Sequence, residues 1–257
     1  MADALFDVDA VPAPSKGTIR LVHLYPKEMS IYGDLGNTRC LQKRIEWHGY
    51  TAEVVRHAPD DPFPEDGHLF IGGGGQDSGQ ARVVADLERN GDTLRALAAA
   101  GTPMLMICGM YQLFGNAFIT VEGKTLPGLG ILDVTTQGGA KRMIGPVVLD
   151  TVVGKVVGYE NHSGATTLAT GQEPFGRVVR GYGNNGEDGT EGARAGNVIG
   201  SYLHGPILPA NPALADLLIG LAAARATGRP FEPETIADAV ADEARNRQVR
   251  RLLGSAG

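Results

Sequence analysis

Cysteine is scarce in this sequence: only Cys40 and Cys108 occur among 257 residues. Two cysteines cannot form the disulfide framework of a small secreted protein, nor a cysteine-rich zinc site, and we expect no metal site. Each cysteine therefore needs its own explanation. Cys40 belongs to a set at spacings of three and four, with Leu41, Arg44, Ile45 and His48, which indicates a small apolar residue of a helix.

Long apolar runs and an excess of basic residues are also missing. No segment approaches the roughly 18 apolar residues that cross a bilayer. Residues 1–17 are acidic and contain Pro-Ala-Pro, without the basic flank and apolar core of a signal peptide, so we expect a flexible tail and a cytoplasmic location. The formal net charge of -6 disfavours a nucleic-acid-binding protein. What remains is a globular protein that can bury a full core.

The first half of the chain alternates apolar, β-branched segments with helical ones. Strands are predicted at residues 18–25, 51–57 and 102–108, and a short one runs into the glycines 72–75. Helices are predicted after the first, third and fourth of these strands in chain order, the last of them at 109–118. This alternation predicts an α/β fold with a doubly wound, largely parallel sheet flanked by helices. The second half is richer in strands and ends in two predicted helices, at 211–228 and 233–253. We expect one domain over residues 18–257, with a long polar, glycine-rich loop at 181–196.

The apolar strand in PMLMICGMYQLFG stops abruptly at Cys108, which Gly109 follows. In doubly wound sheets, active sites lie beyond the carboxyl ends of the strands. A sharp turn from strand to helix presents its central residue to the cleft, as in a nucleophile elbow, and a helix N-terminus favours the thiolate. The alternative is a buried strand end. The local pattern favours neither interpretation.

A cysteine nucleophile needs a general base, and an acyl-transfer site needs donors for an oxyanion. His204 ends an apolar strand before Gly-Pro, and His162 ends another strand. Position favours His204 over His162 as the base. The glycine-rich segment 72–76 offers main-chain N–H groups that, with that of Gly109, can bind an oxyanion. The alternatives are a simple turn or a phosphate loop, although the Gly-Lys-Ser/Thr of a Walker loop is missing.

Several motifs follow one another along residues 18 to 222. They are LYPKEMSIYGDLGN, FIGGGGQDSGQ, MLMICGMYQLFG, GGAKRMIGPVV, GYENHSG and GSYLHGPILPANP. As an ordered set they resemble class I glutamine amidotransferases of the cobyric-acid-synthase-like branch. Within that branch, the resemblance is to the glutaminase subunits of lipid II isoglutaminyl synthases.

The resemblance implies a mechanism for this chain. Cys108 would attack the side-chain amide of L-glutamine, and His204 would act as its base and then protonate the leaving ammonia. The γ-glutamyl thioester would be hydrolysed to glutamate. Gly74 and Gly109 would supply the oxyanion donors.

The resemblance also implies substrate-binding residues. Arg142 matches the arginine that holds the substrate glutamine, and a guanidinium suits the α-carboxylate. Without the resemblance, Arg142 would be interpreted as a solvated loop residue. Gln112 matches a glutamine of the helix after the nucleophile, and Gly75 is expected to contact the substrate.

The chain departs from common class I enzymes, in which a glutamate two residues after the histidine orients the imidazole. Here Gly205 and Pro206 follow His204. The resemblance implies that a partner supplies the third residue: the Mur-ligase-like subunit MurT, in a heterodimer. This chain would hold no cofactor, and ATP and Mg would bind to the partner. There, ammonia would convert the D-glutamate of lipid II to D-isoglutamine during peptidoglycan synthesis.

Three alternatives stay open at this point. The chain can be the glutaminase component for amidation of cobyric acid or cobyrinate. It can be a non-catalytic scaffold subunit with the same fold. It can also be a γ-glutamyl peptidase, which shares the nucleophile but accepts peptides.

Overall fold

The structure is a computed structural model, and it describes residues 15–254. Residues 1–14 of the predicted tail lie outside the described residues. No helix within the described part combines the length and apolar character needed to span a membrane.

Strands and helices alternate over the first half, as the sequence predicts. The strands are β1 Thr18–Leu24, β2 Thr51–His57, β3 Leu69–Gly72, β4 Met104–Ile107, β5 Ala117–Ile119, β6 Thr125–Pro127, β7 Val134–Thr151, β8 Gly154–Leu168, β9 Gly176–Arg180, β10 Thr190–Glu191, β11 Ala193–Ala195, β12 Val198–Ser201 and β13 Leu203–His204. The helices are α1 Leu35–Trp47, α2 Asp77–Arg89, α3 Gly91–Ala99, α4 Gly109–Phe114, α5 Ile207–Ala210, α6 Pro212–Thr227 and α7 Ala239–Leu253.

The first sheet has six strands in the order β11-β12-β4-β3-β1-β2. All of its pairings are parallel except that of β11 with β12. Every residue of β3 and β4 is buried, as expected for central strands covered by helices on both faces. The predicted fold class is confirmed.

The second sheet is built around a long antiparallel ribbon of β7 and β8. Strand β5 pairs with β7 in parallel, β9 pairs with β7 antiparallel, and β13 pairs with β8. The chain therefore leaves the first sheet at the end of β12 and enters the second one at β13. This crossing brings the two sheets together next to His204.

The parallel register decides where the functional side chains lie. Strands β1, β3, β4 and β12 run in the same direction, so their carboxyl ends meet at one edge of the sheet. The segments after these ends are residues 25–34, the glycines 73–75, Cys108 and residues 202–204. Residues far apart in the chain therefore converge there.

Some predicted elements differ from the structure. The helix after Cys108 ends at Phe114, because Gly115 takes an extended conformation and β5 follows. The predicted loop 181–196 contains the short strands β10 and β11. The last helix begins at Ala239, six residues later than its pattern suggests at Pro233.

Candidate active site

Cys108 lies at the sharp bend between β4 and α4. Its backbone angles are φ 51° and ψ -105°, a conformation that non-glycine residues rarely adopt. Two hydrogen bonds hold the bend: the Cys108 N–H donates to the Ser201 carbonyl at 2.7 Å, and the Cys108 carbonyl accepts the Gln112 N–H at 3.0 Å. The bend has the geometry of a nucleophile elbow.

Cys108 opens into a cavity of about 370 Å³. Gly75, Gln112, Arg142 and His162 also line this cavity, so the structure brings the predicted substrate-binding residues to the thiol. The remaining lining residues come from the loop after β1, from the start of α2 and from strands β5 and β8 of the second sheet: Ile31, Tyr32, Gln76, Asp77, Ser78, Gln80, Phe118, Asn161, Ser163 and Gly164. The size suits a single amino acid.

His204 is buried beside Cys108. A Cβ atom placed on Gly74 would lie 2.8 Å from His204 Cε1 and 3.2 Å from Cys108 Cβ, so both side chains flank the same narrow space and only glycine fits between them. The ring of Tyr32 packs edge-on against the imidazole, with ring centroids 4.9 Å apart. The structure thus places the thiol and the imidazole together.

The imidazole is oriented by a carboxylate of the same chain. Nδ1 of His204 donates to Asp34 Oδ1 at 3.0 Å, and both side chains are almost completely buried. Nε2 has no hydrogen-bond partner of regular geometry within residues 15–254. It therefore remains available to the sulfur of Cys108 or to a leaving group.

Asp34 holds the position of an orienting third residue, a role that the resemblance assigned to a partner, whose contribution in trans stays a prediction. Nδ1 carries one proton, and Asp34 already accepts it. Asp34 comes directly before α1, at the end of the loop that follows β1, and this loop reaches the same sheet edge as β12. The triad geometry is complete within this chain.

The surroundings favour a charged imidazole. Burial alone lowers the pKa of His204, but the hydrogen bond to Asp34 and the interaction with Cys108 outweigh it and raise the pKa to about 10. An imidazolium next to the sulfur stabilises a thiolate. The arrangement thus places a charge-stabilised imidazole next to the sulfur of Cys108.

The glycines after β3 differ in what their N–H groups do. The Gly74 N–H donates to Asp34 Oδ2 at 2.7 Å, so it is not available to an oxyanion, and the prediction for Gly74 is wrong. Gly75 is the better candidate. A Cβ on Gly109 would lie 3.0 Å from the Gly75 nitrogen, and among residues 15–254 no acceptor takes the N–H of Gly75 or Gly109. These two groups can form an oxyanion hole beside Cys108.

The opposite wall of the cavity comes from β7 and β8. Arg142 is exposed, and its guanidinium donates to the Asn161 side-chain oxygen. His162 follows Asn161; its Nδ1 donates to the Gly164 carbonyl at 2.8 Å, and its ring stacks on Tyr202 at 3.7 Å. This wall offers one cation and an amide, which suit a carboxylate.

Gln112 has protein partners at both ends of its amide. Its Oε1 accepts from Gln80 Nε2 at 2.8 Å, and its Nε2 donates to the Tyr202 hydroxyl at 3.1 Å. Gln80 also donates to the Gly109 carbonyl at 3.2 Å. Gln112 therefore ties the helix after Cys108 to the cavity wall.

Comparisons with known proteins agree with this geometry. A family model described as the CobB/CobQ-like glutamine amidotransferase domain matches residues 20–212. The chain belongs to this family. Two solved structures share the amidotransferase fold at 19% identity: a glutamine amidotransferase with a TM-score of 0.55, over 78% of this chain and 98% of the other, and PurLQS from Thermotoga maritima with a TM-score of 0.52, over 81% and 97%.

Curated relatives place the chain within the amidotransferase family. It is 38% identical over 220 residues to the lipid II isoglutaminyl synthase subunit GatD of Staphylococcus aureus, covering 85% of this chain and 89% of that protein. It is 34% identical over 229 residues to GatD of Streptococcus pneumoniae, covering 88% of each. A cobyric acid synthase of Sphingopyxis alaskensis is 33% identical over 189 residues, 69% of this chain but 36% of that protein. The predicted resemblance is confirmed.

Sequence reasoning about this amidotransferase missed Asp34. The residue lies in a motif that carried the resemblance, LYPKEMSIYGDLGN, and it precedes a helix after the first parallel strand. An acidic residue at that position was the available signal. It was overlooked because the orienting carboxylate was sought next to His204, whereas the two residues are 170 positions apart.

Proposed function

We propose that this chain is the glutaminase subunit of a lipid II isoglutaminyl synthase. The observation that carries the proposal is the Cys108–His204–Asp34 arrangement at a cavity whose opposite wall holds Arg142. The two relatives that align over most of their length are named as subunits of that synthase.

The reaction proceeds in two steps. The Cys108 thiolate attacks the side-chain amide carbon of L-glutamine, and the N–H groups of Gly75 and Gly109 stabilise the oxyanion. The C–N bond breaks as His204 gives its proton to the nitrogen, and ammonia leaves the γ-glutamyl thioester. Water, deprotonated by His204, then cleaves the thioester, and the sum is glutamine plus water to glutamate plus ammonia.

The two walls of the cavity act on different parts of the substrate. The Arg142 guanidinium pairs with the α-carboxylate of glutamine, which aims the side-chain amide at Cys108. Asn161 holds the guanidinium from the side. Asp34 keeps the imidazole in one orientation and stabilises its charged form.

The ammonia released by this chain is a substrate of a partner subunit. A Mur-ligase-like subunit, MurT, binds ATP and Mg²⁺ and activates the D-glutamate α-carboxyl of lipid II, which ammonia converts to D-isoglutamine. The relatives' names support lipid II as the acceptor and the presence of another subunit, because each is called a subunit of a glutamine-hydrolysing lipid II isoglutaminyl synthase.

Replacement of Cys108 tests the proposal. We expect Cys108→Ala to abolish glutamate release, with and without the partner, whereas Cys40→Ala retains it, because Cys40 lies on α1 outside the cavity lining. In the complex supplied with ATP and lipid II, the wild type should form D-isoglutamine, detected by mass spectrometry. Glutamate release by Cys108→Ala would contradict the mechanism. Amidation of a corrinoid acid instead of lipid II, with a corrinoid-activating partner, would contradict the acceptor.

A further inference from the structure

The crossing from β12 to β13 holds the two sides of the site together. The chain leaves the first sheet at Ser201 and joins the second at Leu203. Around the crossing, the Ser201 carbonyl accepts the Cys108 N–H at 2.7 Å, and His204 is the last residue of β13. Any shift of residues 201–203 therefore moves the thiol and the imidazole relative to each other.

One buried carboxylate fastens this crossing. Glu191, in β10, is completely buried, and its Oε1 accepts the Tyr202 N–H at 2.6 Å. The Ser201 hydroxyl lies 3.2 Å from both of its oxygens and also accepts the Leu203 N–H at 3.0 Å. Where the chain changes sheets, the N–H groups of Tyr202 and Leu203 are not bonded to a neighbouring strand. Glu191 and Ser201 supply their acceptors instead.

Glu191 is an acidic side chain in a completely buried position. Among residues 15–254, no cation pairs with Glu191, and burial raises its pKa to about 8 although the hydrogen bonds from Tyr202 and Ser201 lower it. A buried acidic group without a cation favours its neutral form. The two groups that donate to its oxygens, the Tyr202 N–H and the Ser201 hydroxyl, both belong to the crossing.

The Tyr202 side chain extends the contact to the cavity. Its hydroxyl accepts from Gln112 Nε2 at 3.1 Å, and its ring stacks on His162. Glu191 accepts the main-chain N–H of Tyr202, so this one side chain fixes the position of the segment that lies behind both walls of the cavity.

We propose that Glu191 is a positioning residue for the glutaminase reaction: by holding residues 201–203, it keeps His204 and the Cys108 bend in the geometry for thiolate formation. The inference rests on the proposed function, but it concerns a residue that touches neither substrate nor thiol. It also assigns a role to the glycine-rich segment 181–196, which places Glu191 inside the protein.

The test compares Glu191→Ala and Glu191→Gln with a matched control, Asp86→Ala. Asp86 is also a buried carboxylate that accepts a main-chain N–H, from Asp60, and a hydroxyl, from Tyr25. It also contacts His57 and Arg89, and none of these partners belongs to the crossing. Glutamate release gives kcat and KM, iodoacetamide labelling at Cys108 as a function of pH gives the thiolate population, and thermal melts report folding.

We expect Glu191→Ala to lower kcat about tenfold or more with a KM change below about threefold, because misplaced reacting groups slow chemistry more than binding. Labelling of Cys108 should move to higher pH as the imidazolium contact weakens. Glu191→Gln, which still offers an oxygen to the Tyr202 N–H, should recover most of both. Asp86→Ala should lower the melting temperature and leave kcat and the labelling profile near wild type.

A role in folding alone predicts different results. Equal losses of kcat in Glu191→Ala and Asp86→Ala, or an unchanged labelling profile in Glu191→Ala, would overturn the proposal. If Glu191→Ala does not fold, Ser201→Ala removes the bridging hydroxyl and should give the same kcat loss in a milder form; wild-type kcat in that variant would also overturn it. Absence of glutamate release from the wild type would instead refute the proposed function, while the labelling profiles would still test Glu191.

Discussion

The two walls of the cavity are built by different means. The thiol wall consists of Cys108, which lines the cavity, with His204 and Asp34 buried behind it, and it lies at the edge of the first sheet, where parallel strands end together. The arginine wall, formed by Arg142, Asn161 and His162, projects from the antiparallel ribbon of β7 and β8. The thiol wall is buried, whereas Arg142 is exposed.

The two histidines show what this difference means. Nδ1 of His204 bonds a carboxylate at 3.0 Å, whereas Nδ1 of His162 bonds a main-chain carbonyl, and the nearest carboxylate, Glu160, is 3.8 Å from its Nε2. Both histidines are buried beside the same cavity, but only the ring of His204 is hydrogen-bonded to a carboxylate. We therefore expect changes in the thiol wall to act on kcat and changes in the arginine wall to act on KM.

The largest effect is expected for His204→Asn. Loss of the general acid and base should lower kcat for glutamate release by roughly 10³- to 10⁴-fold, at the upper end of what such groups contribute. Steady-state kinetics on the chain and on its complex with the partner measure the effect. A loss below tenfold, or an equal loss of kcat in His162→Asn, would remove the distinction between the walls.

Asp34→Asn should lower kcat by roughly a hundredfold, because the amide keeps the shape of the side chain but no longer stabilises the imidazolium. KM should stay near wild type, since Asp34 does not line the cavity. The loss should be the same for the isolated chain and for the complex. Recovery of kcat on adding the partner would show that a carboxylate in trans replaces Asp34.

The same variant should change how stability depends on pH. The pKa of His204 is raised from 6.5 to about 10 in the folded chain, so its contribution to the free energy of unfolding is complete below pH 6.5 and is lost as the pH rises through 10. Asp34→Asn removes part of this contribution. Urea unfolding from pH 6 to pH 10 should show a stability difference between wild type and variant that shrinks as the pH rises. A constant difference would mean that Asp34 acts without the charge on His204.

The thiol wall was largely predictable from sequence, and the reason is topological. An apolar strand that ends at Cys108 and another near His204 must end at the same edge if both lie parallel in one sheet. The glycine run after β3 follows the same rule. This rule does not predict the direction of each main-chain N–H group. The sequence therefore suggests Gly74 as an oxyanion donor, although its N–H donates to Asp34.

The arginine wall was less predictable. Arg142 was found only through the resemblance, because alternating strands of an antiparallel ribbon carry no rule that brings a given residue to a site. The ribbon is also irregular between Gly138 and Met143, which shifts the register next to Arg142. Asn161 and His162 reach the cavity through this register, and no local pattern in GYENHSG indicates it.

In the arginine wall, Arg142→Ala should raise KM for glutamine by about tenfold to a hundredfold and change kcat less, because the lost interaction is a charged hydrogen bond to a part of the substrate that does not react. Arg142→Lys should recover only part of the loss, since an ammonium cannot form the paired contact. Lys141→Ala, the neighbouring cation outside the cavity lining, is the control. A KM that stays at the wild-type value in Arg142→Ala would show that the α-carboxylate binds elsewhere.

The smallest effect is expected for His162→Gln. The glutamine can still donate to the Gly164 carbonyl, but it loses the stacking on Tyr202, which should raise KM by about twofold to tenfold. The kcat should remain near wild type, because His162 forms no contact with Asp34 and its Nδ1 is held by a carbonyl. His68→Gln controls for the loss of any histidine, because His68 directly precedes β3 and lies at the opposite end of that strand from the cavity. A pH–kcat profile that changes in His162→Gln but not in His204→Asn would reverse the assignment of the two walls.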